Sequence, residues 1–239
     1  MTTVFETAVS CAVCGREQRV QEMGSTSSFG PMDLDTRPPP VRRHSLWLWV
    51  HECEECGFVA PELRDAAPTD ARHVASREYR AELNRTGRER LASRFVCRSL
   101  LDEAAGDLVA AGWRRVHAAW ASDDAGHDAE ARVQRFEAIG LFERARLAGE
   151  RAMKSVAGGD EVLLADLSRR AGAFEQAYGY CRAGLELQDL PAFMKRLLLF
   201  EQQLAAACDA DCHTVAEAEA PAEPVGNRGG DEPQRETLH

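Results

Sequence analysis

Two short cysteine motifs decide the fold of the N-terminal part of this chain: Cys11-Ala12-Val13-Cys14-Gly15 and Cys53-Glu54-Glu55-Cys56-Gly57. In each motif one tight turn can direct two thiolates at the same ion, and the final glycine can adopt the backbone conformation that points amides at the sulfurs. Two such turns supply the four ligands of a closed tetrahedral site. We therefore predict one structural Zn²⁺ held by Cys11, Cys14, Cys53 and Cys56.

The composition restricts the compartment and the partners. The 239 residues carry a formal net charge of -10, which disfavours general binding to nucleic acid or to anionic membranes. The N-terminus lacks the pattern of a secretory signal, and no stretch approaches the roughly 20 apolar residues of a spanning helix. We expect a cytoplasmic protein whose eight cysteines serve metal binding rather than disulfides. A thioredoxin-like role for one pair is the alternative, and two matched copies favour metal.

Three segments near the cysteine motifs have the β-branched, alternating composition of short strands. They are residues 3–10, 16–22 and 45–52. Between the last two, residues 24–40 are dense in Gly, Ser, Pro and Asp and predict a long irregular loop. We predict that residues 1–62 form a zinc ribbon carrying this loop as an insertion.

The inserted loop contains Phe29-Gly30-Pro31-Met32-Asp33-Leu34-Asp35-Thr36-Arg37, an unusual mixture of apolar and charged residues. One interpretation is a recognition loop for an acidic partner or a phosphate. Its side chains would be Phe29, Asp33, Asp35, Arg37, Arg42 and Arg43. The other interpretation is structural: the apolar residues pin the loop to the rest of the protein, while the charged residues satisfy its backbone.

Residues 63–213 are rich in Ala, Leu, Arg and Glu with apolar positions at helical spacing, which predicts an all-helical domain. A Gly-x-[Leu/Phe] pattern begins at Gly106, Gly140 and Gly172, close to the period of tetratricopeptide helix pairs. In that interpretation each glycine turns the chain between two helices. An ordinary antiparallel bundle is the alternative. The whole chain is thus predicted to be α+β and mostly α, with residues 214–239 as a disordered acidic tail.

Two further polar clusters are weak candidates for a site. The acids of residues 123–128 fall where two helices should be joined, and capping explains them. Cys208, Cys212 and His213 offer only three ligands, so whether they bind a second metal stays open.

The order of the motifs resembles a known bacterial family, catalogued as domain of unknown function 2225. The resemblance lies in the first Cys-x-x-Cys-Gly, then Ser28-Phe29-Gly30-Pro31-Met32-Asp33-Leu34-Asp35-Thr36-Arg37-Pro38-Pro39, then Trp49-Val50 and the second Cys-x-x-Cys-Gly-Phe. Residues 164–174 look like the helical signature of that family. The resemblance covers about residues 11–210, and implies a zinc ribbon followed by tetratricopeptide-like helices but no activity. The chain departs from the family at Ala12, where a proline commonly follows the first cysteine.

Three functions are compatible with these patterns. The favoured hypothesis is a non-enzymatic adaptor that binds a protein or peptide partner. The second is a nucleic-acid-associated regulator that uses the basic residues of the ribbon with Trp47 and Trp49. The third is an enzyme built on Asp33, Asp35 and His44 with the cysteine and histidine cluster of residues 208–213.

Overall fold

The computed structural model of the protein describes residues 1–154 and 156–220, and this part of the chain is mostly helical with two small β-hairpins at its N-terminus. None of the described helices is long and apolar enough to cross a membrane. The helices are α1 (Pro40–Arg43), α2 (Asp70–Val74), α3 (Arg77–Leu83), α4 (Arg90–Ala104), α5 (Leu108–Asp124), α6 (Asp128–Leu147), α7 (Gly159–Arg170), α8 (Phe174–Leu185), α9 (Ala192–Ala206) and α10 (Val215–Glu219).

The two hairpins are each closed by a cysteine motif. Strands β1 (Thr2–Ser10) and β2 (Glu17–Thr26) pair antiparallel, and β3 (His51–Glu52) pairs antiparallel with β4 (Val59–Ala60). The strands predicted at 3–10 and 16–22 are confirmed. The second strand continues to Thr26, so the irregular part of the inserted loop is shorter than predicted.

The strand predicted at 45–52 is wrong for most of its length. Residues Leu46–Leu48 form a 3-10 turn, in which the amide of Leu48 donates to the carbonyl of Ser45 and that of Trp49 to the carbonyl of Leu46. These local hydrogen bonds satisfy the backbone where no neighbouring strand is present. Trp49 packs edge-on against Trp120 of α5, with ring centroids 6.4 Å apart, so it contacts the helices instead of being free to stack on a base.

The helical part is built from two antiparallel sets, α4–α5–α6 and α7–α8–α9. Gly106 and Gly172 lie between helices, as the repeat pattern predicts. Gly140 does not, because it is an exposed residue inside α6. The turn between α5 and α6 falls instead at Gly126, whose φ of 71° is a conformation that glycine adopts without a steric penalty. Gly106, Gly140 and Gly172 are 34 and 32 residues apart in the sequence. These intervals are therefore not the spacing of the turns between helices.

The N-terminal hairpin region and the helices share one apolar core. Its buried side chains include Cys11 and Phe58 from the two cysteine hairpins, Tyr79 and Phe95 from α3 and α4, and Leu167 from α7. The hydroxyl of Tyr79 accepts from the amide of Val59 at 3.1 Å and donates to the carbonyl of Gly57 at 2.9 Å. The second cysteine motif is thus held against α3 by both packing and hydrogen bonds.

The beginning of the predicted disordered tail is ordered. Thr214 and Glu217 form a reciprocal capping box that starts α10, and Thr214 bridges to Asp33 of the inserted loop. The prediction of disorder from residue 214 is therefore wrong through residue 219, because an Ala- and Glu-rich segment with this cap can form a helical turn. The rest of that predicted tail, residues 221–239, lies outside the described residues.

Candidate metal centre and the inserted loop

The four predicted cysteine ligands converge on one point. The Sγ atoms of Cys11 and Cys56 are 3.7 Å apart, those of Cys14 and Cys53 are 3.6 Å apart, and all four lie within 4.8 Å of one another. A tetrahedral ion with metal–sulfur bonds of about 2.3 Å would separate its ligands by about 3.8 Å. A disulfide would need sulfurs about 2.05 Å apart. The arrangement therefore fits a shared metal ion and not a pair of disulfides.

The two motifs have the same backbone geometry. In each, the glycine amide donates to the carbonyl of the first cysteine at 2.8 Å, and the glycine has a positive φ, 75° at Gly15 and 70° at Gly57. A Cβ at Gly57 would also overlap the side chain of Leu83. Glycine at position 57 thus permits both the turn and the close approach of the backbone to Leu83. The second cysteine pair, Cys53 and Cys56, therefore lies directly against α3.

Solvent exposure differs among the four thiols. Cys11 and Cys53 are buried, whereas Cys14 is exposed. A hydrogen bond from the backbone of Arg16 lowers the pKa of Cys14, while burial raises the pKa of Cys53 and of Cys56. A bound cation would favour the thiolate form of all four.

A polar side chain connects the two motifs. Gln18 of β2 donates from Nε2 to the carbonyl of Glu52 at 3.0 Å, and its Oε1 accepts from the amide of Glu54 at 3.0 Å. The side chain of Gln18 thus makes the two backbone hydrogen bonds that a neighbouring strand would make. These bonds connect the two hairpins and fix the separation of the two cysteine pairs.

Asp35 of the inserted loop is fully buried between α5 and α7. Its carboxylate accepts from the indole Nε1 of Trp120 at 2.7 Å, from Arg170 at 2.9 Å and from the amide of Arg37 at 3.1 Å. Burial alone would raise the pKa of Asp35, but the guanidinium groups of Arg170 and Arg135 hold it below its usual value. Asp35 is therefore an internal ion-pair partner that attaches the loop to the helices.

The neighbouring charges of the loop are also used internally. Arg37 is 4% exposed and pairs with Asp124 at the end of α5 at 2.5 Å. Asp33 is 3% exposed and accepts from Arg43 at 2.6 Å. Thr36, between these residues, has a φ of 69°, an uncommon value for a β-branched residue that the surrounding bonds impose.

The six predicted recognition residues therefore fall into two groups. Asp33, Asp35 and Arg37 are buried and Arg43 is half-buried, each bonded to another residue of this chain. Phe29, at 71% exposure, and Arg42 face solvent and are accessible to a partner. The structural interpretation thus accounts for the loop's charges, and for Leu34, which is buried. Phe29 and Met32 do not pin the loop, because both are exposed.

An apolar cavity lies between the inserted loop and α7, α9 and α10, with a volume of about 420 Å³. Three of the five methionines of the chain line it, Met32, Met153 and Met194, together with Leu34 and Phe193. Methionine side chains adapt to differently shaped apolar ligands. The cavity could not be predicted from the sequence, since its walls come from residues more than 150 positions apart. The one local signal is Met32 directly after a proline.

The cluster at residues 208–213 does not form a second metal centre. Within the part of the chain that the structure describes, the four-cysteine group is the one set of three or more ligating side chains close enough to share an ion. His213 contacts Asp209 at 3.1 Å and Glu217 at 3.3 Å instead. The prediction that the acids of residues 123–128 cap a helix is wrong. Helix α6 begins after His127 without a side-chain capping hydrogen bond, and Asp123 binds Arg135 and Arg170 instead.

A buried charge cluster that the sequence analysis also missed anchors the chain that leads to α10. Arg169 is fully buried and donates to Asp166 at 2.7 Å and Glu201 at 2.8 Å. It also donates to the carbonyls of Asp209 at 2.9 Å and Asp211 at 2.8 Å. The guanidinium of Arg169 thus joins α7 and α9 to the segment of residues 207–214 that connects α9 with α10.

Comparisons of the chain with protein-family models, with curated proteins and with solved structures found no match. The features that bear on function are therefore a four-cysteine cluster that could hold a metal ion, a loop fixed by buried ion pairs, and the apolar cavity.

Proposed function

We propose that the protein is a zinc-stabilised, non-enzymatic adaptor that binds a protein or peptide partner at the apolar cavity beside the inserted loop. The observation that carries this proposal is the cavity itself. About 420 Å³ of mostly apolar space is large enough for one or two bulky side chains, and the exposed apolar residues Met32 and Phe29 lie on the loop that borders it.

Zinc is the ion we assign to the cysteine group. Four thiolates in a closed tetrahedral set are typical of structural zinc, and such a site leaves no open position for water or substrate. We further propose that residues 1–62 are a zinc ribbon, that the protein is cytoplasmic, and that the chain belongs to the bacterial family of domain of unknown function 2225. The support for the family is the motif order around the two cysteine pairs. Tetratricopeptide-like character is supported by Gly106 and Gly172 but not by Gly140.

The other two hypotheses have less support. Residues 1–62 contain nine acidic and five basic side chains, and Arg37 is bonded internally, so the ribbon offers little positive surface to a phosphate backbone. An enzyme built on Asp33 and Asp35 would need these carboxylates free, and both are engaged by arginine.

Affinity capture from the source organism tests the adaptor role. We expect the wild-type chain to retain a specific partner and Met32→Asp to lose it, because a carboxylate beside the cavity opposes insertion of an apolar side chain. Met32 is 47% exposed, so the change should leave the fold intact. Leu199→Asp is the matched control, since Leu199 is a 39% exposed residue of α9 that does not line the cavity. Equal retention by both variants and the wild type would contradict the proposal.

A further inference from the structure

The charged residues that line the apolar cavity are both acidic. Asp33 of the inserted loop and Glu219 of α10 form part of its wall, and no arginine, lysine or histidine of the described chain does. The rest of the wall is apolar or uncharged, as at Met32, Val162 and Phe193. An occupant of the cavity therefore meets carboxylates beside apolar surface.

Asp33 has one carboxylate oxygen that no strong donor uses. Its Oδ1 accepts from Arg43 at 2.6 Å, whereas its Oδ2 is buried without a hydrogen-bond partner among the described residues. The thiol of Cys212 lies near this carboxylate, and burial together with the charge of Asp33 raises the pKa of that thiol to about 12. A thiol is only a weak donor, and a buried carboxylate oxygen without a donor costs free energy. A ligand that brings an N–H group to Oδ2 would remove this cost.

Glu219 is more open to solvent. Its Oε1 pairs with Arg196 at 3.3 Å, and both side chains are about half exposed, so this ion pair contributes little to stability. Arg196 does not line the cavity, whereas Glu219 does. The carboxylate of Glu219 is thus accessible to a cation that approaches the cavity from solvent.

We propose that the partner inserts a bulky apolar side chain into the cavity and carries a lysine or arginine beside it, which pairs with Asp33 and Glu219. This inference rests on the proposed function and specifies the chemistry of the partner. Lysine and arginine suit this position because their methylene groups can lie along an apolar wall while the charged end reaches a carboxylate. The formal net charge of -10 acts in the same direction, since it favours the approach of a basic partner and disfavours an acidic one.

Selection of random peptides displayed on phage, against the immobilised full-length protein, provides the test. We expect the selected sequences to combine leucine, methionine or phenylalanine with a lysine or arginine a few positions away. A selected peptide is then labelled, and its binding is followed by fluorescence anisotropy. Replacing its basic residue by glutamine should weaken binding about fivefold, the effect of one partly exposed ion pair. Glu219→Lys in the protein should weaken the basic peptide by at least as much and leave the glutamine peptide nearly unchanged.

Two variants separate this charge effect from a structural one. Arg196→Gln breaks the same ion pair but keeps the carboxylate of Glu219, so it should bind the basic peptide at least as tightly as the wild type does. Glu6→Lys makes the same change in net charge at an exposed residue of β1 that does not line the cavity, and should bind like the wild type. Circular dichroism checks that every variant keeps its helices.

Each outcome supports or overturns the inference. Absence of enriched sequences, or enrichment without a basic residue, overturns it, as does equal weakening by Glu219→Lys and Arg196→Gln. If one of these results occurs while Met32→Asp still loses the captured partner, the adaptor proposal stands and only the basic character of the partner is wrong. If Met32→Asp retains the partner, the adaptor proposal itself is wrong.

Discussion

Asp35→Asn tests whether buried charges hold the inserted loop on the helices. The change removes the negative charge that faces Arg170 at 2.9 Å in a fully buried position, while a side-chain oxygen remains to accept from Trp120. Breaking a buried ion pair by removing one partner costs about 3–5 kcal/mol. Arg170 keeps a second partner, Asp123 at 2.8 Å, so we expect the lower end of that range, about 3 kcal/mol.

Urea unfolding followed by tryptophan fluorescence measures this loss. The cycle of Asp35→Asn, Arg170→Met and the double variant should show a coupling of about 1–3 kcal/mol, because both changes remove the same ion pair. Glu6→Gln is the matched control: its pair with Arg19 spans 3.0 Å but is largely exposed, so the loss should stay below about 1 kcal/mol. Additive effects of the two buried changes, or equal losses for Asp35→Asn and Glu6→Gln, would refute the reasoning.

Three further predictions concern the metal and the buried titratable groups. Elemental analysis should find one zinc per chain, lost in Cys53→Ser and kept in Cys208→Ser, because only the first residue belongs to the four-sulfur set; zinc retained in Cys53→Ser would contradict the site. Burial, with a smaller contribution from Arg114, lowers the pKa of His117 to about 3, so the free energy of unfolding should fall as the pH drops from about 6.5 toward 3, by about 2 kcal/mol at pH 5. His117→Leu should flatten that dependence in urea titrations at pH 7 and 5, and an unchanged slope would show that the imidazole is not its source. Burial raises the pKa of Glu201 well above its usual value, so the free energy of unfolding of the wild type should fall as the pH rises above the usual range of a glutamate, and thermal unfolding of Glu201→Gln should show a smaller fall. Equal losses in the two proteins would count against a raised pKa at Glu201.

The local parts of the fold could be predicted from the sequence, because their causes are local. Cys11 and Cys14 lie in one turn with a glycine, and this arrangement depends on five consecutive residues. The strand at 45–52 could not be predicted correctly, since alternating burial of Leu46, Leu48 and Val50 occurs in a 3-10 turn as well as in a strand. The sequence pattern does not show whether a second strand is available for pairing.

The parts that sequence reasoning missed depend on distant residues. Nothing near Asp35 indicates that Trp120 and Arg170 will surround its carboxylate, so its charge was equally compatible with a surface role. Gly140 was misassigned for a related reason: glycine at a regular interval suggests a turn, but the packing of α6 against α5 tolerates it in mid-helix.

The buried contacts that hold the inserted loop on the helices also set an order of events during synthesis. Residues 33–37 follow the first cysteine pair closely, yet their partners are Asp124, Arg170 and the backbone of His213. The ribosome must therefore release almost the whole described chain before this loop can close. Until then its apolar residues and the methionine-lined walls remain uncovered on the nascent chain, so the N-terminal hairpins can bring their four cysteines together early while the adjoining surface is completed last.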